Sequence, residues 1–137
     1  MYHNLAMKDD GTIWGWGKNS FGAVGNGTTT NQSTPVSVTG LSNVIDFEAG
    51  LDFSLAVQDD GTVWEWGKNG YISGETAKST PVQVTELENV IQLAAGHGHT
   101  HALKSDGTVW GWGRNNEGVL GNGTTTDETD PVQISGL

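Results

Sequence analysis

The sequence contains no cysteine, three prolines, and only six lysine and arginine residues against sixteen aspartates and glutamates. Each shortage excludes something. Without cysteine neither a disulfide framework nor a thiolate zinc site is available, and the redox compartment stays open. A net charge of −10 repels phosphate backbones, so no nucleic-acid partner is expected. No stretch approaches the roughly 20 apolar residues of a spanning helix, and Met1 is followed by no basic and apolar leader. No membrane partner and no secretory address are therefore expected. At 137 residues the chain has the size of one domain.

What is present is a repeat. "DDGTIWGWG" at 9–17 returns as "DDGTVWEWG" at 59–67 and "SDGTVWGWG" at 105–113. The turn glycines Gly11, Gly61 and Gly107 stand 50 and then 46 residues apart, within the period of about 40–50 residues typical of four-stranded propeller blades. The second interval is shorter because "KNGYISGETAKST" (68–80) has four residues fewer than "KNSFGAVGNGTTTNQST" (18–34). A deletion confined to one Gly- and Thr-rich segment marks that segment as a loop.

Within each unit the pattern predicts four short strands. "NVIDFEAG" (43–50) and "NVIQLAAG" (89–96) are apolar runs ending at glycine, as a buried strand would. "FSLAVQ" (53–58) and "HTHALK" (99–104) lead into Asp-Gly pairs. Those pairs, Asp10-Gly11, Asp60-Gly61 and Asp106-Gly107, predict tight type I′ hairpin turns into the tryptophan strands. "PVSV" (35–38), "PVQV" (81–84) and "PVQI" (131–134) then form outer strands, with proline at the head of each. No segment has sustained helical periodicity, so the expected class is all-β. The units divide as 1–42, 43–88 and 89–137 in one continuous repeat domain. The first lacks its inner strand, since residues 2–8 align with 98–104.

Side chains alternate across a strand, so Trp14 and Trp16 share one face while Gly15 and Gly17 lie on the other. The same holds for Trp64 and Trp66, and for Trp110 and Trp112. The six indoles are expected to pack between blades, each aromatic ridge received by the glycine groove of the next sheet. Glu65 interrupts the pattern where Gly15 and Gly111 stand. An unpaired carboxylate between sheets is too costly, so Glu65 is expected near a rim or against a cation.

The order Ala-Gly, Ala-Leu or Ala-Val, Asp-Gly-Thr-Val-Trp-x-Trp-Gly-x-Asn, Leu-Gly-x-Gly-Thr and Pro-Val-x-Val resembles the repeat of the regulator of chromosome condensation family. The fullest copy is residues 94–126. The resemblance implies β-propeller blades, antiparallel four-stranded sheets running from the inside outward. About three fit in this chain, whereas closed propellers usually have roughly 4–8. Because the pattern opens at a second strand and stops where an inner strand would begin, either a piece of a longer propeller or an arc of self-associating copies is expected, with a dimer favoured. The founding branch of the family promotes nucleotide exchange on a small GTPase and docks on nucleosomes. None of those functional residues carries over to this sequence, and its style is closer to secreted or cell-surface prokaryotic members.

"HGHTH" places His97, His99 and His101 at alternate positions, where a strand could turn three imidazoles toward one metal ion. His99 aligns with His3, which favours a structural role, and His97 precedes the strand. The acidic pairs Asp9-Asp10 and Asp59-Asp60 are explained by turn chemistry. "GAVGNGTTT" (22–30) and "GVLGNGTTT" (118–126) lack the lysine and helix of a phosphate loop, and no nucleophile elbow is present. No enzyme and no cofactor are expected. The functional expectation is a protein–protein interaction module whose variable loops form the contact surface, the alternative being a surface that binds carbohydrate or metal. A nucleotide-exchange role ranks below both.

Overall fold

The computed structural model describes residues 2–69 and 75–137, so the middle of the short second loop (70–74) and Met1 lie outside the described residues. Among the described residues eleven strands form three antiparallel sheets. The first sheet contains β1 (His3–Met7), β2 (Ile13–Gly17) and β3 (Gln32–Ser37) in that order. The second runs β4 (Val44–Ala49), β5 (Phe53–Gln58), β6 (Val63–Gly67), β7 (Lys78–Val84). The third repeats this order with β8 (Val90–Ala95), β9 (His99–Lys104), β10 (Val109–Gly113) and β11 (Glu128–Gln133). Neighbours in sequence are neighbours in each sheet, as a meander requires. The fold is all-β and built of propeller blades, the first one three-stranded. Among the described residues no helix is long and apolar enough to cross a membrane.

Two details of the blades differ from the sequence reading. The Asp-Gly hairpins are not two-residue type I′ turns. Gly11 N–H bonds to Lys8 C=O at 2.9 Å and Lys8 N–H to Thr12 C=O at 3.0 Å, with Gly11 alone at φ +75°. A type I turn followed by a left-handed glycine therefore closes a three-residue loop, so Asp10 is spared the positive φ a I′ turn would demand. Its carboxylate instead accepts from Thr12 N–H at 3.0 Å and Thr12 Oγ1–H at 2.6 Å, and Thr12 Oγ1 accepts the indole N–H of Trp14 at 3.3 Å. Asp60–Thr62–Trp64 and Asp106–Thr108–Trp110 repeat the relay. The bonds from threonine hold all three aspartates below their ordinary pKa.

The prolines are also displaced from expectation. They lie inside the outer strands, not at their heads. Gly15 pairs with Val36 and Gly17 with Gln32, so three residues, Ser33 to Pro35, oppose Trp16 alone. A bulge on an edge strand is a position where a missing N–H breaks no ladder.

The hydrophobic cores lie between sheets. Ile13, Val38, Leu41, Val44, Ala56 and Trp66 form one between the first and second blades. Between the second and third, Phe53, Leu55 and Val57 meet Leu93, Ala102 and Trp112. β5 is buried on both faces and supplies alternate residues to both cores, so the two junctions share the second blade. Stability is shared across junctions. Trp112 is 4 % exposed, and Trp112→Ala is expected to destabilise the chain by about 3–5 kcal/mol. Trp110→Ala, half-buried at the margin of the same core, should cost less than Trp112→Ala; urea unfolding followed by far-UV circular dichroism distinguishes the two.

Candidate interaction site

Each tryptophan strand ends in Trp-Gly, then a cation, then asparagine: Asn19, Asn69 and Asn115. In the long loops this asparagine is fully buried and organises the turn. Asn19 Nδ2 donates to the carbonyls of Thr28 (2.9 Å) and Thr30 (3.1 Å), its Oδ1 accepts from Val24 N–H (2.9 Å), and its own N–H donates to Asn31 Oδ1 (2.8 Å). Asn115 repeats this with Thr124, Leu120 and Asp127. The loops are thus preformed by a satisfied buried amide.

That organisation aims Val24 back over its own sheet. A Cβ on Gly15 would lie 2.9 Å from the Val24 carbonyl, so glycine is required beneath the loop. The neighbouring Ala23 carbonyl then faces the second blade. It accepts Trp66 Nε1–H and Ser54 Oγ–H, each at 2.8 Å, while Ser54 Oγ also meets Nε2 of buried His3 at 2.8 Å. The groove that receives the indole is therefore a loop turn, with glycine making room underneath it.

Glu65 stands in the blade whose loop is four residues shorter. It contacts a cation, Lys78 Nζ at 3.1 Å, and its other oxygen accepts Trp112 Nε1–H at 3.1 Å. A carboxylate thus takes the part that the Ala23 carbonyl plays one junction earlier. Asn69, at the head of the short loop, donates to the Gly98 carbonyl of the third blade at 2.6 Å. A cavity of about 410 Å³ adjoins this junction, lined by Glu65, Asn69, Glu75, Lys78, Trp112 and Asp130 among others. Burial, followed by the charge of Glu65, raises the Glu75 carboxyl to about 7.

The histidines separate. His99 and His101 share a face of β9 with ring centroids 5.7 Å apart, edge to face, while His97 lies in the bend before the strand. The His99 ring occupies the space a Cβ on Gly96 would need, as Phe53 does at Gly50. Among the described residues, no group of three or more histidines and carboxylates is gathered to hold a metal ion. Asp10, Asp60 and Asp106 are engaged in the turn relay.

The loop-bearing edge has a different character. At the junction of the first two blades, Tyr2 (66 % exposed) and Phe21 (38 %) stand out from the surface. Lys18 Nζ lies 5.2 Å from the Tyr2 ring and 5.6 Å from the Phe21 ring, and Lys68 Nζ lies 5.9 Å from Phe21. Lys18 also bridges to Asp52 of the second blade at 3.1 Å. Sequence reading does not find this patch because its members come from three separate segments. The only local signal is a cation following each Trp-Gly pair.

These features define a propeller-repeat protein whose blades are joined through indole contacts and whose loops crown one edge. The profile of the regulator of chromosome condensation (RCC1) repeat matches residues 10–57 and 106–137, and a second profile of the same repeat matches 90–119. The chain belongs to this repeat family. The fold is similar to that of human WBSCR16 (TM-score 0.85, 23% identity) and of Prp20p from Saccharomyces cerevisiae (TM-score 0.84, 21% identity). A second structure of the same yeast protein, RCC1 (Prp20) bound to Kap60, gives a TM-score of 0.85 and 22% identity. Each alignment covers 98% of this chain but only 38%, 36% and 35% of the respective relatives. Prp20p was described with its binding properties to Gsp1p and histones.

Glu65→Ala should destabilise the chain by about 1–3 kcal/mol, since it leaves a buried indole N–H without its acceptor, and Glu65→Gln should recover part of the loss in the same urea titration. The Glu75 carboxyl holds a proton in the folded state that the unfolded chain, with an ordinary value of 4.5, releases. Its contribution is present below 4.5 and is lost as pH rises through 7. Glu75→Gln is therefore expected to flatten the decline of stability over that window, read as a difference from wild type in thermal melts.

Proposed function

We propose that the chain is a non-enzymatic protein-binding module whose loop-bearing edge is the contact surface. The carrying observation is the cluster of Tyr2, Phe21, Lys18 and Lys68. Aromatic rings flanked by cations are the composition in which interface hot spots concentrate, and here Phe21 stands on the loop that Asn19 organises. In a chain of net charge −10, a local pair of lysines beside two exposed rings fits a partner segment that combines acidic and apolar side chains. The binding of Gsp1p, histones and Kap60 by one protein of the same fold, Prp20p, agrees with a role in protein recognition. The reading includes association of copies into a closed ring of blades.

The carbohydrate alternative needs exposed indole faces. Trp66 is 0 % exposed, and lysines cover Trp14 and Trp110, with Lys8 Nζ 4.0 Å from the Trp14 ring. A photoreactive residue in place of Phe21 should crosslink one discrete protein from the source cells. Changing Lys68 to Glu should weaken that protein's affinity by about tenfold or more, roughly the loss of 1.4 kcal/mol. Retention of sugars on a glycan array through this edge, or affinity indifferent to Lys68, would sink the proposal.

A further inference from the structure

The long loop of the first blade fills the space beside the outer strand of the second. A Cβ on Gly22 would lie 2.6 Å from Ser79 Cα, Gly27 N–H donates to the Ser79 carbonyl at 2.9 Å, and a Cβ on Gly27 would lie 3.8 Å from Thr80 Cγ2. The counterparts of Ser79 and Thr80 in the third blade are Thr129 and Asp130, by alignment of "KSTPVQV" with "ETDPVQ". Both line the cavity of about 410 Å³ at the second junction. The cavity therefore lies where a loop lies one junction earlier, between the two four-stranded blades, beside the loop that is four residues shorter. Its volume falls within the roughly 300–1,000 Å³ of ligand-binding clefts.

Among the described residues the walls carry four carboxyl groups, Glu65, Glu75, Glu86 and Asp130, against one cation, Lys78. Lys78 is already committed, with Nζ 3.1 Å from Glu65 Oε1 and 3.7 Å from Glu75 Oε1. The second oxygen of Glu65 accepts Trp112 Nε1–H. That leaves Glu75 Oε2, which is buried and accepts no hydrogen bond among the described residues. The Glu75 carboxyl instead keeps a proton beside Glu65, since burial and then the Glu65 charge raise it to about 7. Asp130 and Glu86 are exposed, and among the described residues each accepts only from an adjacent hydroxyl, that of Thr129 or Thr85, at 3.2 Å.

We propose that this cavity binds a guanidinium group, held by Glu75 Oε2 on the side of the second blade and by the Asp130 carboxylate on the side of the third. A guanidinium spreads five N–H donors over a planar fork, so a single group serves acceptors on both walls, and its weak hydration lowers the cost of entering a partly buried place. A metal ion fits less well. Lys78 Nζ already takes the position between Glu65 and Glu75, and among the described residues no group of three or more histidines and carboxylates is gathered to hold one. Glu75 receives the guanidinium as a carboxylate, so binding releases the proton it keeps to about 7. Affinity therefore falls by about tenfold for each pH unit below that value and levels off above it. The charged groups that share the cavity with Glu75 are Glu65 on β6, Lys78 on β7, Glu86 after β7 and Asp130 on β11. The site is separate from the Tyr2 and Phe21 patch, which belongs to the other junction, and it stands or falls independently of the reading above.

The test follows the Trp112 indole N–H in proton–nitrogen correlation spectra of the full chain, because its acceptor Glu65 lines the cavity. The probes are methylguanidinium and an end-blocked Gly-Arg-Gly peptide, with tetramethylammonium as a cation of the same charge that has no N–H to donate. A guanidinium probe should move the indole signal to saturation while tetramethylammonium leaves it in place, and binding should be about tenfold weaker at about pH 6 than at about pH 8. Glu75→Gln should weaken binding at the higher pH by about tenfold and abolish the pH dependence. Asp130→Asn, at an exposed position, should weaken it too and serves as the test if Glu75→Gln disturbs the fold. Tighter binding of the peptide assigns the site to an arginine of a protein partner, and binding of methylguanidinium as tight or tighter assigns it to a free guanidino compound; both support the proposal. A signal unmoved by either guanidinium probe, moved equally by tetramethylammonium, or moved with an affinity indifferent to pH or to both variants overturns it.

Discussion

Every junction in this molecule turns on one requirement: an indole N–H buried between sheets must find an acceptor there. Trp66 finds the Ala23 carbonyl and Trp112 finds Glu65. The first solution requires a long loop, an asparagine to shape it, and a glycine beneath it. The second dispenses with the long loop and puts a carboxylate on the strand itself. The shorter second loop and the glutamate at 65 thus occur together in one blade, and a glycine at 65 would remove the acceptor that Trp112 Nε1–H uses.

Using a carboxylate in this role has electrostatic consequences. A backbone carbonyl is neutral, but Glu65 introduces a charge that must be balanced, and Lys78 on the adjacent strand does so. Glu75 then sits beside a charge of its own sign in a partly buried place and keeps its proton to about 7. The first junction has the opposite sensitivity. Burial lowers the pKa of His3, which meets Ser54 as a neutral ring, so that junction weakens as pH falls below 6.5. Two blade contacts of similar shape thus respond to acid in opposite directions.

Much of the architecture is legible in the sequence. The 50- and 46-residue spacings mark the repeat, the strand ranges of β5 and β9 coincide with those read from the apolar pattern, and the three-stranded first blade follows from aligning residues 2–8 with 98–104. The turn type is not legible, because Asp-Gly is compatible with more than one hairpin loop. What decides it is the bond from Lys8 N–H to Thr12 C=O, which no local propensity encodes. The prolines stand one bulge away from the strand heads because a pairing register belongs to two strands at once. The cation beside Glu65 follows from the cost of an unpaired carboxylate, but its bond to Trp112 does not.

What the sequence determined by itself is whatever depends on residues close along the chain: strand alternation, the Asp–Thr–Trp relay spaced two by two, and the loop-shaping asparagine three positions after each second tryptophan. Tertiary structure alone decided which blade faces which, that a turn and not a glycine receives the indole, and that Tyr2, Phe21 and Lys68 form one patch. The reason lies in the core itself. The two buried clusters join neighbouring blades whose equivalent positions stand some 46 to 50 residues apart, so the contacts that build them lie between segments whose proximity no local pattern records.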